Sequence, residues 1–237
     1  MIKIALLEET NSPLEFIASD EWVAQEKLNG ERMVVMVKEG QVSAYNRQGE
    51  PKELPAVVEA VALTSPVEFV IDGEWVNGGF VAFDALSISG VDLTSLPQVS
   101  RFAALQTISP FLTVRQATTQ AEKVEMLETI RVEKGEGVVF KSLLGTYLSG
   151  RSAVGVKFKF WKSGSFLVEA IDIAKGTASL GQFGNCAFPF AGMWPKVGEI
   201  IEVRYLLITK HGKLSQPTFL GVRNDLTEED LAAQILK

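Results

Sequence analysis

The sequence predicts an α+β fold in two parts, an antiparallel sheet domain with helices over residues 1–162 and a small β-barrel over residues 163–237. Two observations support this prediction. Up to Lys162, apolar and β-branched runs broken by tight turns alternate with apolar stripes at helical spacing. Beyond Lys162, the chain is rich in short strands separated by glycine turns. A chain of 237 residues suits one large domain or two modest ones and can bury a sizeable core.

The predicted strands of the first part include two hairpins, which turn at Glu39-Gly40 and at Asn77-Gly78. The strands are predicted over residues 22–27, 33–38, 41–45, 67–75, 79–86, 137–140 and 155–160. Apolar stripes predict helices over residues 53–63, 100–108 and 119–132. The last helix is expected to bury Ala121, Val124, Met126, Leu127 and Ile130.

The second part is predicted to begin with a short linker, Ser163-Gly164-Ser165. Strands are predicted over residues 166–174 and 200–209, followed by a turn at His211-Gly212 and an acidic helix over residues 227–236. Cys186 is expected in a loop. Several strands with glycine-rich turns in this length of chain are typical of a small Greek-key barrel.

Composition excludes several classes of function. The 23 Lys and Arg residues face 29 Asp and Glu, and the net charge of -6 argues against a protein that coats nucleic acid by bulk charge. The single cysteine and single histidine exclude a disulfide framework, a cysteine zinc finger and a multi-histidine metal site. The sequence shows no signal peptide and no apolar run near the roughly 20 residues of a membrane span. We therefore expect a cytoplasmic protein that does not contact membranes.

Charged residues recur at the ends of predicted strands in six short segments. These are Glu26–Arg32 (EKLNGER), Asn46–Gly49 (NRQG), Asp72–Glu74 (DGE), Phe80–Leu86 (FVAFDAL), Glu136–Lys141 (EGVVFK) and Val156–Lys162 (VKFKFWK). Converging cations and carboxylates suit a polyphosphate with a divalent metal, because phosphates attract cations and the metal needs oxygen ligands. A lysine desolvated among other cations loses its proton more easily, so it can act as a nucleophile.

These segments, in this order, resemble the covalent nucleotidyltransferase superfamily of ATP-dependent DNA ligases, RNA ligases and mRNA capping enzymes. Lys27 stands at the nucleophile position of the superfamily's lysine-x-aspartate-glycine motif, and Ile201–Asp225 is similar to the end of a ligase OB domain. The resemblance implies a nucleotidyltransferase domain followed by an OB-fold barrel. It also implies a monomeric, minimal DNA ligase of the bacterial or viral kind, without an added DNA-binding domain, that serves DNA repair, replication or recombination.

The activity implied by the resemblance is the sealing of 5′-phosphate/3′-OH nicks in duplex DNA through lysyl-AMP and DNA-adenylate intermediates. Lys27 attacks the α-phosphate of ATP, Lys157 and Lys159 hold that phosphate, and Glu136 binds the catalytic Mg²⁺ or Mn²⁺. Glu74 binds a ribose hydroxyl or the metal, and Phe83 stacks on adenine. The residues expected at the ATP site are Gln25, Glu26, Lys27, Arg32, Glu74, Phe83, Glu136, Lys157 and Lys159.

The resemblance also assigns a set of residues to nucleic acid. Arg32 is expected near the sugar and the 3′ side, and Arg47 is expected to grip the 5′-phosphate. The full expected set is Asn29, Arg32, Arg47, Arg151 and Lys162.

Two positions depart from the ligase pattern. Asn29 stands where ligases usually have aspartate, and Arg223-Asn224-Asp225-Leu226 lacks the final lysine of the C-terminal motif. Asn29 keeps open an RNA ligase, or a ligase that accepts RNA-containing strands. Two further functions fit the same fold, a capping guanylyltransferase and a catalytically inactive nucleic-acid-binding module.

Overall fold

The computed structural model describes residues 4–189 and 194–234. The chain divides into two compact units, Met1–Lys159 and Phe160–Lys237, and each has its own hydrophobic core. The division falls just before the predicted boundary at Lys162. Within the two described ranges, no helix has the length and apolar character needed to cross a membrane.

The first unit combines many short strands with helices that pack against them. Its strands are β1 (Ala5–Thr10), β2 (Trp22–Lys27), β3 (Glu31–Lys38), β4 (Gln41–Tyr45), β5 (Pro51–Lys52), β6 (Phe69–Val76), β7 (Gly79–Ile88), β8 (Val91–Asp92), β9 (Leu112–Thr113), β10 (Gln116–Ala117), β11 (Gly137–Ser142) and β12 (Gly150–Lys159). Its helices are α1 (Leu14–Ala18), α2 (Ala56–Ala62), α3 (Gln98–Ile108) and α4 (Gln120–Val132).

Two sheets organise these strands. The first sheet has the order β1-β12-β11-β2-β10, in which β1 and β12 are parallel and the other pairs are antiparallel. The second sheet has the order β5-β4-β3-β6-β7-β8, with β9 beside β7. Both predicted hairpins are confirmed, as β3–β4 and as β6–β7. The buried side chains of β3, β6 and β7 build a core with α2 and α3.

Helix α4 begins with a capping box in which Thr119 accepts a hydrogen bond from the backbone N–H of Glu122. The predicted buried face is only partly right, because Ile130 is buried whereas Ala121 and Val124 are exposed. Lys123 takes the buried place instead and is 1% exposed. Its ammonium donates to three backbone carbonyls between α1 and β2, those of Phe16 (3.2 Å), Ser19 (2.6 Å) and Trp22 (2.9 Å). The lysine therefore ties α4 to the segment that leads into β2.

The second unit is built on one sheet with the order β13-β17-β18-β16-β15-β14. Its strands are β13 (Lys162–Leu167), β14 (Ala170–Asp172), β15 (Thr177–Ser179), β16 (Asn185–Ala187), β17 (Ile200–Tyr205) and β18 (Thr218–Val222), and helix α5 (Glu228–Gln234) follows. The two end strands of this sheet, β13 and β14, are separated in the chain only by Val168 and Glu169. Among the described residues, no hydrogen-bonded pairing closes the sheet into a barrel.

Two predictions for the second unit are wrong. Ser163-Gly164-Ser165 is not a linker but the middle of β13, where Gly164 pairs with Val203 of β17. The Ser165 hydroxyl donates to Glu202 at 2.7 Å. A segment whose composition is typical of a flexible linker therefore has its polar groups hydrogen-bonded within a sheet. Cys186 lies in β16, not in a loop, and is buried in the core of this unit.

We predict that Lys123→Met lowers the free energy of unfolding by about 2 kcal/mol or more, because three backbone carbonyl groups lose a charged donor whose own position is buried. Chemical denaturation of the purified protein measures the change. Lys38→Met is the matched control at an exposed position and should change the stability by less than about 0.5 kcal/mol. Equal stability of the two variants would contradict the structural role of Lys123.

Candidate active site

The registers of three strands bring two lysines and a carboxylate together. Lys27 of β2 pairs with Gly137 of β11, and Gly137 pairs in turn with Lys159 of β12. We refer to these three residues as the Lys27 row. Glu136 directly precedes Gly137, which lies between the two lysines across the three strands. Because the three segments are distant in the chain, only the sheet pairing makes them neighbours.

The Glu136 carboxylate is buried between the two lysine ammonium groups. Its Oε2 lies 2.7 Å from Nζ of Lys27, and its Oε1 lies 3.1 Å from Nζ of Lys159. Glu136 is 3% exposed, whereas the side chains of Lys27 and Lys159 are 19% and 9% exposed. A buried carboxylate needs such compensation, and here each oxygen has its own ammonium partner. Lys27, which is the more exposed of the two lysines, remains reachable by a substrate.

Gly137 permits this arrangement because strands β11 and β12 approach closely behind it. A Cβ at this position would lie 2.0 Å from the carbonyl oxygen of Phe158 and 2.9 Å from Cα of Lys159. Gly30 has a similar role after Lys27, since a Cβ there would lie 2.3 Å from the carbonyl oxygen of Trp75. The glycines of the first and fifth sequence segments are therefore packing requirements.

A second row of side chains crosses all five strands of the first sheet, two residues along from the Lys27 row. It runs Gln116, Gln25, Val139, Lys157, Glu9. Lys157 pairs with Glu9 at 3.2 Å between Nζ and Oε2. At the other end, the Gln25 side-chain amide donates to Oε1 of Gln116 at 2.9 Å. Gln25 and Lys157 therefore lie on the same face of the sheet as Lys27 and Lys159.

Arg32 is held inside the unit by several hydrogen bonds. Its Nε and Nη2 donate to the two carboxylate oxygens of Asp72 at 3.0 and 2.5 Å, and Nη1 donates to the Ala5 carbonyl at 2.7 Å. The Tyr147 hydroxyl donates to Asp72 at 2.6 Å, and burial raises the pKa of Tyr147, which keeps this proton in place. Asp72 is completely buried. The arginine thus bridges β3 in the second sheet to β1 in the first.

Glu74 pairs across the second sheet with Arg32. Burial raises the pKa of Glu74 to about 7, although the nearby charges of Lys27 and Arg32 oppose this shift. The repulsion from Asp72 and Glu136 adds to the effect of burial. Glu74 can therefore be a neutral hydrogen-bond donor or an anion close to neutral pH.

Phe83 lies near two cations between the sheets. Nζ of Lys141 is 4.9 Å from the centre of its ring, and Cζ of Arg32 is 5.4 Å from it. Lys141 also donates to the carbonyl oxygen of Phe83 at 3.2 Å and to Asp84 at 3.4 Å. Asp84 in turn accepts two hydrogen bonds from buried Arg101, at 2.8 and 3.0 Å. Burial lowers the pKa of Lys141, while Asp84 opposes that shift.

Several predicted site residues lie outside this group. Asn29 and Arg47 are exposed in loops, and Arg151 is exposed on β12. Lys162 is exposed on β13 in the second unit. Glu26 forms an ion pair with Arg115 at 2.8 Å. The structure thus joins Lys27, Glu136 and Lys159 by direct contact and leaves the predicted nucleic-acid residues, apart from Arg32, on the surface.

Comparison with known proteins places this site in a family. A model of the RNA ligase family matches residues 20–159, which include every residue of the Lys27 and Gln25 rows except Glu9. The chain belongs to the RNA ligase family. A probable DNA ligase of Streptomyces avermitilis is 32% identical over 132 residues, which cover 53% of this chain and 25% of that protein. The match thus spans about a quarter of the curated relative's length.

Solved ligase structures share the fold. A structure from a study of minimal Lig E DNA ligases has a TM-score of 0.73 at 22% identity and covers 94% of this chain and 100% of its own. A mycobacterial DNA ligase D, solved with ATP and MES, has a TM-score of 0.61 at 19% identity and covers 97% of each chain. The resemblance to the ligases is therefore confirmed for the family and for the α+β fold, and the OB-fold barrel stays a prediction.

The sequence did not predict several residues that hydrogen-bond to the side chains of this site and hold them in place. Asp72 and Asp84 lie within two of the six segments, and their acidic character beside buried strand residues was an available signal. Arg101 and Tyr147 lie outside those segments and become partners only through the fold. Gln98 and Gln116 carry no charge, so no pattern of charges marks them.

The carboxylates suit a metal that arrives with its substrate. Across the residues that the structure describes, no three His, Cys, Asp or Glu side chains are grouped so that they could hold a metal alone. Mg²⁺, however, is usually bound through one or two carboxylates together with substrate phosphates. Glu136 and Glu74 provide carboxylates next to the lysines that a phosphate requires. The donor set fits Mg²⁺ bound together with a nucleotide.

We predict that Glu74 makes stability fall as the pH rises. Its pKa of about 7 in the folded protein exceeds its usual value of 4.5, so the folded state holds the proton longer than the unfolded state. The free energy of unfolding should decrease between about pH 4.5 and about pH 7, by up to about 3 kcal/mol, and remain low above that window.

Thermal unfolding of wild type and Glu74→Gln across this pH range measures the effect. The difference in stability between the two proteins should change with pH in this window, because glutamine does not titrate. Glu59→Gln on helix α2 is the exposed control. A constant difference between wild type and Glu74→Gln would rule out the raised pKa.

Proposed function

We propose that the chain is an ATP-dependent DNA ligase that seals 5′-phosphate/3′-OH nicks in duplex DNA, with Lys27 as the nucleophile. The observation that carries this proposal is the contact of the Lys27 amine with buried Glu136, beside Lys159 and one row from Lys157. A partly exposed lysine that contacts a buried carboxylate, with a second lysine on the same carboxylate, suits attack on a phosphate. The relatives named as DNA ligases favour this reaction over other uses of the fold.

In the first step, the Lys27 nitrogen attacks the α-phosphorus of ATP. A P–N bond forms, the P–O bond to pyrophosphate breaks, and lysyl-AMP results. The ammonium group must first lose a proton, and Oε2 of Glu136 at 2.7 Å is placed to receive it. Lys157 and Lys159 neutralise the charge on the α-phosphate, so catalysis is mainly positioning and electrostatic stabilisation.

The remaining steps use the same phosphate-binding lysines. The nick's 5′-phosphate oxygen attacks the phosphorus of lysyl-AMP, releasing Lys27 and forming DNA-adenylate. The 3′-hydroxyl then attacks the 5′-phosphate, and AMP leaves. Mg²⁺ held by Glu136, with Glu74, supplies charge neutralisation at the phosphates when it is bound. Arg47, Arg151 and Lys162 are exposed cations suited to backbone phosphates.

The second unit is best explained as an OB-fold barrel. Its end strands β13 and β14 are consecutive pieces of chain separated by two residues, Val168 and Glu169, so one bent strand links both ends of the sheet. Val168 is completely buried, which is the environment expected where a strand bends around a barrel core. Such barrels commonly bind nucleic acid.

RNA joining is the second candidate, and the RNA ligase family match favours it. Asn29 adds to this case because it replaces the expected aspartate with a neutral amide. The sequence of the second unit, with its ligase-like stretch from Ile201 to Asp225, favours DNA.

We predict that Lys27→Arg abolishes self-labelling by α-labelled ATP, because a guanidinium retains the charge beside Glu136 but is not a nucleophile at neutral pH. Gel detection of label on the protein in the presence of Mg²⁺ is the measurement. Lys38→Arg, at an exposed position, should label as wild type does. Labelling of Lys27→Arg at the wild-type rate would exclude Lys27 as the nucleophile, and labelling of wild type by GTP but not ATP would favour a capping enzyme.

We also predict that wild type, ATP and Mg²⁺ join nicks in all-DNA duplexes faster than nicks with RNA on either side. Sealing is followed on matched substrates that carry ribonucleotides on the 3′-OH side, on the 5′-phosphate side or on neither. A pre-adenylated nick isolates the last step and shows where any preference arises. Joining of the RNA substrates alone would overturn the DNA assignment and leave an RNA ligase.

A further inference from the structure

Three glutamine side chains form a hydrogen-bonded chain beside the Lys27 row, and the proposed chemistry uses neither Gln98 nor Gln116. Oε1 of Gln116 accepts a hydrogen bond from Nε2 of Gln25 at 2.9 Å and a second from Nε2 of Gln98 at 3.1 Å. Gln25 is 2% exposed and Gln98 is 1% exposed. We refer to these three residues as the amide relay.

The amide relay has one favoured direction. With Gln116 as the acceptor, the buried Oε1 of Gln98 has no hydrogen-bond partner. If all three amides were reversed, the buried Gln98 would instead carry an NH₂ group with two unsatisfied hydrogens. Buried donors without partners are rarer than buried carbonyl oxygens without partners, so the observed direction is the cheaper one. Gln98 therefore sets the orientation of Gln116, and Gln116 sets that of Gln25.

This orientation determines what Gln25 offers to a ligand. Its Nε2 is occupied by Gln116, so its Oε1 is left as a hydrogen-bond acceptor, and nothing in the described part of the chain donates to that oxygen. Gln25 shares a face of the sheet with Lys27, about 6–7 Å along strand β2. In the row beyond, Lys141 pairs with Val23 and contacts the ring of Phe83. Gln25 thus lies between the nucleophile and the aromatic ring.

We propose that Gln98 and Gln116 are positioning residues that hold the Gln25 carbonyl oxygen toward the nucleotide base and so select adenine over guanine. At the corresponding position of the base, adenine carries an amino donor and guanine a carbonyl acceptor. A fixed acceptor pairs with the first and is repelled by the second. This inference rests on the proposed function, because it requires a nucleotide whose α-phosphate lies at Lys27.

The test measures rates of self-labelling by α-labelled ATP and by α-labelled GTP in the full chain, and compares their ratio between variants. Gln116→Met and Gln98→Met remove the group that orients Gln25, and each should lower the ATP-to-GTP ratio by about fivefold to tenfold, the worth of one hydrogen bond. Gln116→Glu should keep the ratio within about twofold, because a carboxylate still accepts from both amides. The ratio does not depend on how much of a variant is folded, since unfolded protein labels with neither nucleotide.

A rescue experiment separates orientation from simple support of the fold. Gln25→Glu places an acceptor at both side-chain oxygens, so it no longer needs to be oriented. Adding Gln25→Glu to Gln116→Met should restore the ATP preference, which a purely structural defect would not allow. Gln48→Met, at an exposed turn, is the neutral control.

The outcomes distinguish this inference from the proposed function. Labelling of wild type by neither nucleotide would overturn both. Labelling by ATP with an unchanged ratio in Gln116→Met and Gln98→Met would overturn the role of the amide relay and leave the ligase proposal intact. A lowered ratio in both variants, restored by Gln25→Glu, supports the relay.

Discussion

The burial of charge is the constraint on which this structure depends. Glu136, Asp72 and Asp84 are all nearly or completely buried, and each is paired with a cation from another strand or from helix α3. A shift of one residue in any of these strands would leave a carboxylate in a low-dielectric interior without its partner, at a cost of several kcal/mol. Strand register and site geometry are therefore fixed by the same contacts.

Those contacts divide the cations of the buried pairs into two groups. Arg32, Arg101 and Lys141 bind Asp72 and Asp84, and Arg32 and Lys141 also link the two sheets. Lys27 and Lys159 instead contact Glu136, whose two oxygens each take one ammonium group. In a chain of net charge -6, strand pairing thus gathers at one end of the first sheet the cations that a polyphosphate requires.

The features that the sequence predicted correctly are mainly those that neighbouring residues determine. Both hairpins followed from Glu39-Gly40 and Asn77-Gly78, where each turn residue has a positive φ. The contact of Lys27, Glu136 and Lys159 was expected from motif order. Tyr147 and Gln98 could not be found this way, because only the folded structure brings them to their partners Asp72 and Gln116. The linker prediction was wrong for a related reason. Residues 163–165 form a strand because they pair with β17, which lies far along the chain, and the composition of the segment does not indicate that partner.

The parallel pairing of β1 with β12 has a consequence for how the molecule is made. Ala5 pairs with Gly150, so the edge strand β1 cannot form its hydrogen bonds with β12 until nearly all of the first unit has been synthesised. Glu9 therefore meets Lys157 late, and the Lys27 row also needs β11 and β12. Contacts of such long sequence separation fold slowly, because loop entropy is lost before they form. On the ribosome, the end of the sheet that holds Lys27 is thus among the last parts to assemble, and a nascent chain that stops short of β12 carries Lys27 without Lys159 beside it.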